Sequence, residues 1–228
     1  MPGRYASLWL RWVLANGLGE MFGLGLTFGV GAAIIASLGS TNNYITILLT
    51  FLVAVVSGVI EATLVGLLQW WAMHPWFPKI RQAAWWLATL LGALLAYVLG
   101  YLPSTLMSLG EATAQASIPA HEPEQWVFLL LAAGLGAVGG AVLSFAQWLV
   151  LRKTVQGAGI WVPANMLAWL VGMPIIFWGI DNAMRFTQLS SIILFMAGIL
   201  LLTGLIVGAI HGAFLVRIVK SQVSHQPA

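Results

Sequence analysis

The chain has 228 residues, 61% of them hydrophobic and 7% charged, with nine Lys/Arg against six Asp/Glu for a formal charge of +3. Soluble domains carry about 25% charged residues, so this chain lacks the charge to solvate a globular surface. A soluble enzyme, a nucleic-acid binder and a disordered chain are excluded, and nucleic acid is no partner. The absence of cysteine removes disulfides, thiolate metal sites and thiol catalysis.

The apolar runs are long and uninterrupted, which points to helices and not to the short alternating strands of a membrane barrel. Taken in chain order, six segments reach the ~20 residues that a spanning helix needs: 8–36, 44–72, 83–108, 126–151, 160–180 and 190–217. The first follows MPGRYASLWLRW. It is too long for the core of a signal peptide and carries Glu20, so it reads as a retained transmembrane helix. Turn chemistry separates the rest: LGSTNN at 38–43, HPWFPK at 74–79, GEATAQASIPAHEPEQ at 110–125, RKTVQGAG at 152–159 and DNAMRFTQ at 181–188. Arg4, Arg11, Lys79, Arg81, Arg152, Lys153, Arg217 and Lys220 fall at one set of helix ends. Glu111, Glu122, Glu124 and Asp181 fall at the other, joined only by Arg185. The positive-inside rule then makes both termini cytoplasmic. The basic residues are thus read as topological, and a lipid-headgroup site at Arg152 and Lys153 is the lesser reading.

A repeat runs through these segments. Trp12-Val-Leu-Ala15-Asn16, Trp85-Trp-Leu-Ala88-Thr89 and Trp161-Val-Pro-Ala164-Asn165 share the pattern W-x-x-A-[N/T], each opening an odd-numbered helix. In the even-numbered helices Gly58 precedes Gln69-Trp70 by 11 residues, Gly136 precedes Gln147-Trp148 by the same 11, and His211 stands in a weaker third copy. The expected fold is therefore an all-α integral membrane protein, a single six-helix membrane domain over 1–228. Three repeated helical hairpins (about 8–72, 83–151 and 160–217) would form a pseudo-threefold bundle about an axis along the membrane normal. Glycines four apart, as in Gly204/Gly208/Gly212, Gly19/Gly23, Gly25/Gly29 and Gly136/Gly140, indicate close helix contact without naming its partner.

The repeat places Asn16, Thr89 and Asn165 in one potential ring and Gln69, Gln147 and His211 in another. Such residues either hydrogen-bond neighbouring hairpins, with the tryptophans anchoring at the interface, or form a polar collar for a ligand. Ionisable groups within a span carry a functional reading by default. Glu20 lies one turn beyond Asn16. Glu61 lies two turns before Gln69. The positions matching Glu20 in the other repeats are Ala93 and Trp169, and those matching Glu61 are Gly139 and Thr203, so the acidic feature is confined to the first hairpin. The carboxyls suit a proton relay or a cation site, or else are protonated and hydrogen-bonded within the bundle. His211 suits proton transfer or axial ligation of a chlorin or haem, or plain packing. His74, His121 and His225 lie outside the spans and make no metal spacing. HExxH, GxSxG and Walker patterns are absent, so an enzyme is not expected, and neither is a cofactor.

The stretch Ala146-Gln-Trp-Leu-Val-Leu-Arg152, followed by Gly159-Ile-Trp161-Val-Pro-Ala164-Asn165, resembles a group of tryptophan-rich multi-pass membrane proteins of cyanobacteria and related bacteria that carry QWLVLR-type motifs. Gly208-Ala-Ile-His211-Gly212 is similar to their final helix, where threonine commonly takes the histidine position. The resemblance covers helices 4 to 6 directly and helices 1 to 3 through the repeat. It implies a multi-pass protein of the bacterial cytoplasmic membrane and carries over no catalytic residue. The three-hairpin ring of mitochondrial carriers is an architectural analogy only, because their proline–acid–basic signature is missing.

The expected function is a small transporter or channel for a small solute or cation. Glu20 and Glu61 would bind the proton or cation, with Asn16, Gln69, Gln147, Asn165 and His211 lining the cytoplasmic mouth. The rival is a non-enzymatic scaffold that holds lipid, pigment or a partner membrane protein. Expected partners are membrane lipids and another membrane protein or further copies of the chain.

Overall fold

A computed structural model describes residues 2–39, 43–113 and 124–224, and every regular element among them is helical. The helices are α1 (Pro2–Gly19), α2 (Gly25–Ser37), α3 (Tyr44–Met73), α4 (Gln82–Thr113), α5 (Gln125–Leu151), α6 (Trp161–Ala183) and α7 (Leu189–Ser224). A π-helical turn over Glu20–Leu24 joins α1 to α2, so these form one span. Six helices are therefore long and apolar enough to cross a membrane. All six segments expected from the sequence are present. Several run further than the apolar runs suggested: α4 continues past Pro103 to Thr113, and α7 extends to Ser224. The π turn had no sequence signal. Asn43 caps α3, its side-chain oxygen accepting the Thr46 N–H at 2.9 Å.

Each span packs on its neighbour in the chain, and α7 returns to pack on α1. Glycines set the closest of these approaches. A Cβ on Gly140 would lie 2.6 Å from the backbone oxygen of Asn165, so α5 and α6 touch backbone to backbone. A Cβ on Gly208 would lie 3.1 Å from Val13 Cα, and one on Gly212 2.8 Å from Trp12 Cδ1, which makes α1 the partner of the glycine row on α7. The Gly25/Gly29 pair has no such role, since nothing lies within 4 Å of a Cβ on Gly29.

Arg11, Arg152 and Lys220 lie at one end of the bundle and rest on aromatic rings. The Arg11 guanidinium sits 4.5 Å from the Trp71 ring centre and donates to the Trp71 backbone oxygen at 3.2 Å. Arg152 lies 4.8 Å from the Trp148 ring, and Lys220 5.2 Å from Tyr5. The connections at this end, expected to be simple turns, enter the core. Phe77, Ile80, Val155 and Ala158 are all buried in the main apolar cluster, with Leu8, Leu151 and Leu215. Trp70 Nε1 fixes the first of these connections by donating to the Ile80 backbone oxygen at 3.0 Å. Gly157, at φ 70°, supplies the left-handed turn of the second.

Candidate functional site

The site is built in tiers along the helices. Trp12, Asn16 and Glu20 stand four residues apart on one face of the first span, each roughly 6 Å beyond the last.

The lowest tier is a triangle of the repeat tryptophans. Trp12, Trp85 and Trp161 are each 0% exposed. Their rings meet pairwise at centroid distances of 5.7 Å (Trp12–Trp161), 6.2 Å (Trp85–Trp161) and 6.5 Å (Trp12–Trp85). This corrects their assignment as interfacial anchors. They point inward and fill the space enclosed by α1, α4 and α6. The indole N–H groups need acceptors once buried. Trp12 Nε1 donates to His211 Nδ1 at 2.7 Å, and Trp161 Nε1 to Gln147 Oε1 at 3.0 Å. Trp85 Nε1 has no partner.

The second tier is a buried polar network. Gln69 Nε2 donates to Asn16 Oδ1 at 2.8 Å. Gln147 Nε2 donates to Gln69 Oε1 at 3.1 Å and to Thr89 Oγ1 at 3.0 Å. Asn16, Thr89 and Asn165 donate back to the backbone oxygens of Trp12, Trp85 and Trp161 one turn earlier. The sequence placed Asn16, Gln69, Gln147, Asn165 and His211 at an open mouth. All five are buried, and the tryptophans close the end they were to line. His211 lies between Trp12 and Trp161, at ring distances of 5.6 and 5.5 Å. Its Nδ1 accepts the Trp12 N–H, so the neutral ring carries its proton on Nε2 and offers no lone pair for axial ligation. His74 stacks on Trp70 at 4.8 Å. His121, His225 and Glu122 lie outside the described residues.

The third tier holds the acids, and here the bundle opens. Glu20 and Glu61 are neighbours across the seam between the first span and α3. Three local features bring them together. The π turn begins at Glu20. Gly23 lets that turn press on α3, where a Cβ would lie 3.0 Å from Glu61 Cα. Gly204 lets α7 close behind, where a Cβ would lie 2.9 Å from Glu20 Cβ. Thr27 pins α3 at the same height, its hydroxyl donating to the Ser57 oxygen at 3.1 Å and accepting the Glu61 N–H at 3.2 Å. Glu20 is 2% exposed, and its Oε2 has no hydrogen-bond partner. Glu61 instead borders a cavity of about 340 Å³ and accepts a hydrogen bond at Oε2 from the Tyr97 hydroxyl.

Small side chains leave that cavity open. Ala93, Ala96 and Gly139 leave room on α4 and α5 opposite Glu61, and Trp169 walls the far side. A larger vestibule of about 800 Å³ lies toward the end away from the basic residues, between Thr46, Ser57, Ser104, Thr105 and Glu111. Phe28, Tyr101 and Ile180 border both spaces. Tyr97 and Tyr101, 5.9 Å apart between ring centres, were missed in the sequence. Their spacing of four on one helix face was the available signal. The arrangement is a funnel of two adjoining spaces, a mainly apolar vestibule edged by hydroxyls and an aromatic chamber with Glu61 at its wall and Glu20 behind, above a buried polar and tryptophan floor.

No family model, curated protein or solved structure matches the chain.

Proposed function

We propose that the protein is a small ion-coupled transporter or channel of the bacterial cytoplasmic membrane, with Glu20 and Glu61 as its proton- or cation-binding site. The single observation that carries this reading is the position of the acidic pair, at the blind end of a space that opens away from the basic end. Two carboxyls in contact repel one another when both are charged, and the partners around them are each other and Tyr97. Such a pair can take up a proton or a cation and release it when the surroundings change. In this reading the three hairpins are related by a pseudo-threefold axis, the basic end is cytoplasmic, and the tryptophan triangle is the closed inner gate. The inter-helix bonds Gln147–Gln69, Trp161–Gln147 and Trp12–His211 are contacts that opening would exchange.

The test is flux. The protein is reconstituted in liposomes with an internal pH-sensitive dye, and sodium, potassium or small organic cations are supplied outside. Wild-type protein moves protons faster than protein-free liposomes do, and Glu61→Gln abolishes the movement while folding normally. If Glu20→Gln and Glu61→Gln combined leave the flux intact, the acidic pair is not the coupling site. The scaffold reading expects both carboxyl changes to be silent and Gly208→Leu, which strikes α1, to disrupt assembly.

A further inference from the structure

The chamber above Glu61 has a chemistry narrower than that of a general ion path. Its walls are apolar and aromatic: Phe28, Tyr97, Tyr101, Trp169 and Phe177 contribute rings from three of the surrounding helices. A path for small hydrated metal ions would need oxygen donors in numbers, since such ions shed water only to hard oxygen ligands. The third tier supplies one carboxyl at the chamber wall, Glu61, and a second behind it, Glu20. The titratable groups facing Glu61 are Glu20 from the π turn and Tyr97 and Tyr101 from α4, and α5 and α6 add none to the lining. Glu20 Oε2 is left buried beside this site with acceptor capacity unused. Aromatic faces attract cations once water is excluded, and ammonium groups without N–H donors rely on that attraction. The volume falls within the common range for small-molecule pockets, roughly 300–1,000 Å³.

We propose that this chamber binds a monovalent organic cation with an apolar body, a tertiary or quaternary ammonium class of compound, its charge toward the Glu61–Glu20 pair and its body against the Trp169 and Phe177 wall. This assignment rests on the transporter reading for its purpose. Its geometry, a chamber with one acidic corner, can be tested separately.

The experiment is calorimetric titration of the full chain in lipid nanodiscs with three probes: benzyltrimethylammonium, choline, and 3,3-dimethyl-1-butanol, the uncharged match of choline. The expected result is saturable 1:1 binding of benzyltrimethylammonium, choline weaker because it leaves the aromatic wall uncovered, and the neutral alcohol about tenfold or more weaker than choline. Glu61→Gln should weaken benzyltrimethylammonium about tenfold or more. Gly139→Leu offers a second variant that leaves both acids in place. A Cβ there meets only Ala96, at 4.0 Å, so the leucine has room to enter the chamber and should abolish binding.

Equal affinity for choline and its neutral match, or wild-type binding by Gly139→Leu, overturns the assignment. If none of the cations binds while Glu61→Gln still abolishes proton flux, the organic-cation assignment falls and the transporter reading stands. If benzyltrimethylammonium binds as expected but no flux depends on Glu61, the assignment stands and the transporter reading falls.

Discussion

The two ends of the bundle differ in how their interior is filled. At the basic end the three repeat tryptophans meet in a triangle, the connections fold inward, and the polar side chains above bond one another. At the other end the same helices splay around a chamber and a vestibule. The difference lies in what occupies equivalent positions. Where all three copies carry tryptophan, the middle of the bundle is filled. Two tiers further along, two matching positions carry carboxyls, two carry Ala93 and Gly139, one carries Trp169 and one Thr203, and a chamber is left beside Glu61. Three large rings make a plug at one end, and small residues opposite Glu61 leave a site at the other.

The largest expected effect is on the plug. Trp161→Ala removes a fully buried indole and orphans Gln147 Oε1, so it should cost about 3–5 kcal/mol of stability by thermal unfolding in detergent. Phe177→Ala, at the chamber wall, enlarges a space that is already open and should cost well under half as much. Equal losses at the two sites would mean that the ends do not differ in packing as described.

A sharper probe uses glycine. Gly140→Ala brings a methyl group 2.6 Å from the Asn165 backbone oxygen, and backbone cannot move aside as a flexible side chain does. A loss of about 1–3 kcal/mol is expected, typical of overpacking. Gly29→Ala meets nothing and gains helix propensity, so it should be neutral or stabilising by about 0.5–1 kcal/mol. Parallel melting curves of the two variants make the check. A destabilising Gly29→Ala would show that α2 has a close partner at that face.

The sequence carried the plug's membership but not its form. W-x-x-A-[N/T] located Trp12, Trp85, Trp161 and the amides above them, because composition and spacing are one-dimensional quantities. Whether a tryptophan near a helix end faces headgroups or the bundle interior depends on the rotation of each helix, which no pattern in these apolar sequences reports. Amphipathic periodicity fails as a guide when both the lipid and the core are apolar. The acids were legible singly, since a carboxyl within a span stands out against hydrocarbon. Their contact was not, because it depends on the π turn at Glu20 and on the depth to which Gly23 and Gly204 let three helices sink together. Ala93, Gly139 and Trp169, which border the chamber, stand in the sequence at positions matching the two acids. That Ala93 and Gly139 leave a space while Trp169 bounds it is a statement about volume, visible only once the helices are assembled.

The smallest predicted effect separates two of the tryptophans, Trp161 and Trp85, from each other. Each phenylalanine substitution keeps an apolar ring of smaller size in the triangle, so the shape change is similar at Trp161 and Trp85. The hydrogen-bond consequences are opposite. Trp161→Phe leaves Gln147 Oε1 without its 3.0 Å donor in a buried site, which adds about 1–2 kcal/mol to the loss. Trp85→Phe removes an N–H that has no partner and so relieves an unsatisfied donor. Trp85→Phe should therefore be the milder variant by about 1–2 kcal/mol, read as a higher midpoint in the same unfolding assay. Gln69 Oε1, the acceptor at the position matching Gln147, accepts from Gln147 Nε2 instead. If Trp85→Phe proves as costly as Trp161→Phe, Trp85 Nε1 has an acceptor after all. Gln69 would then exchange partners within the floor of the funnel, the kind of rearrangement that opening of the plug requires.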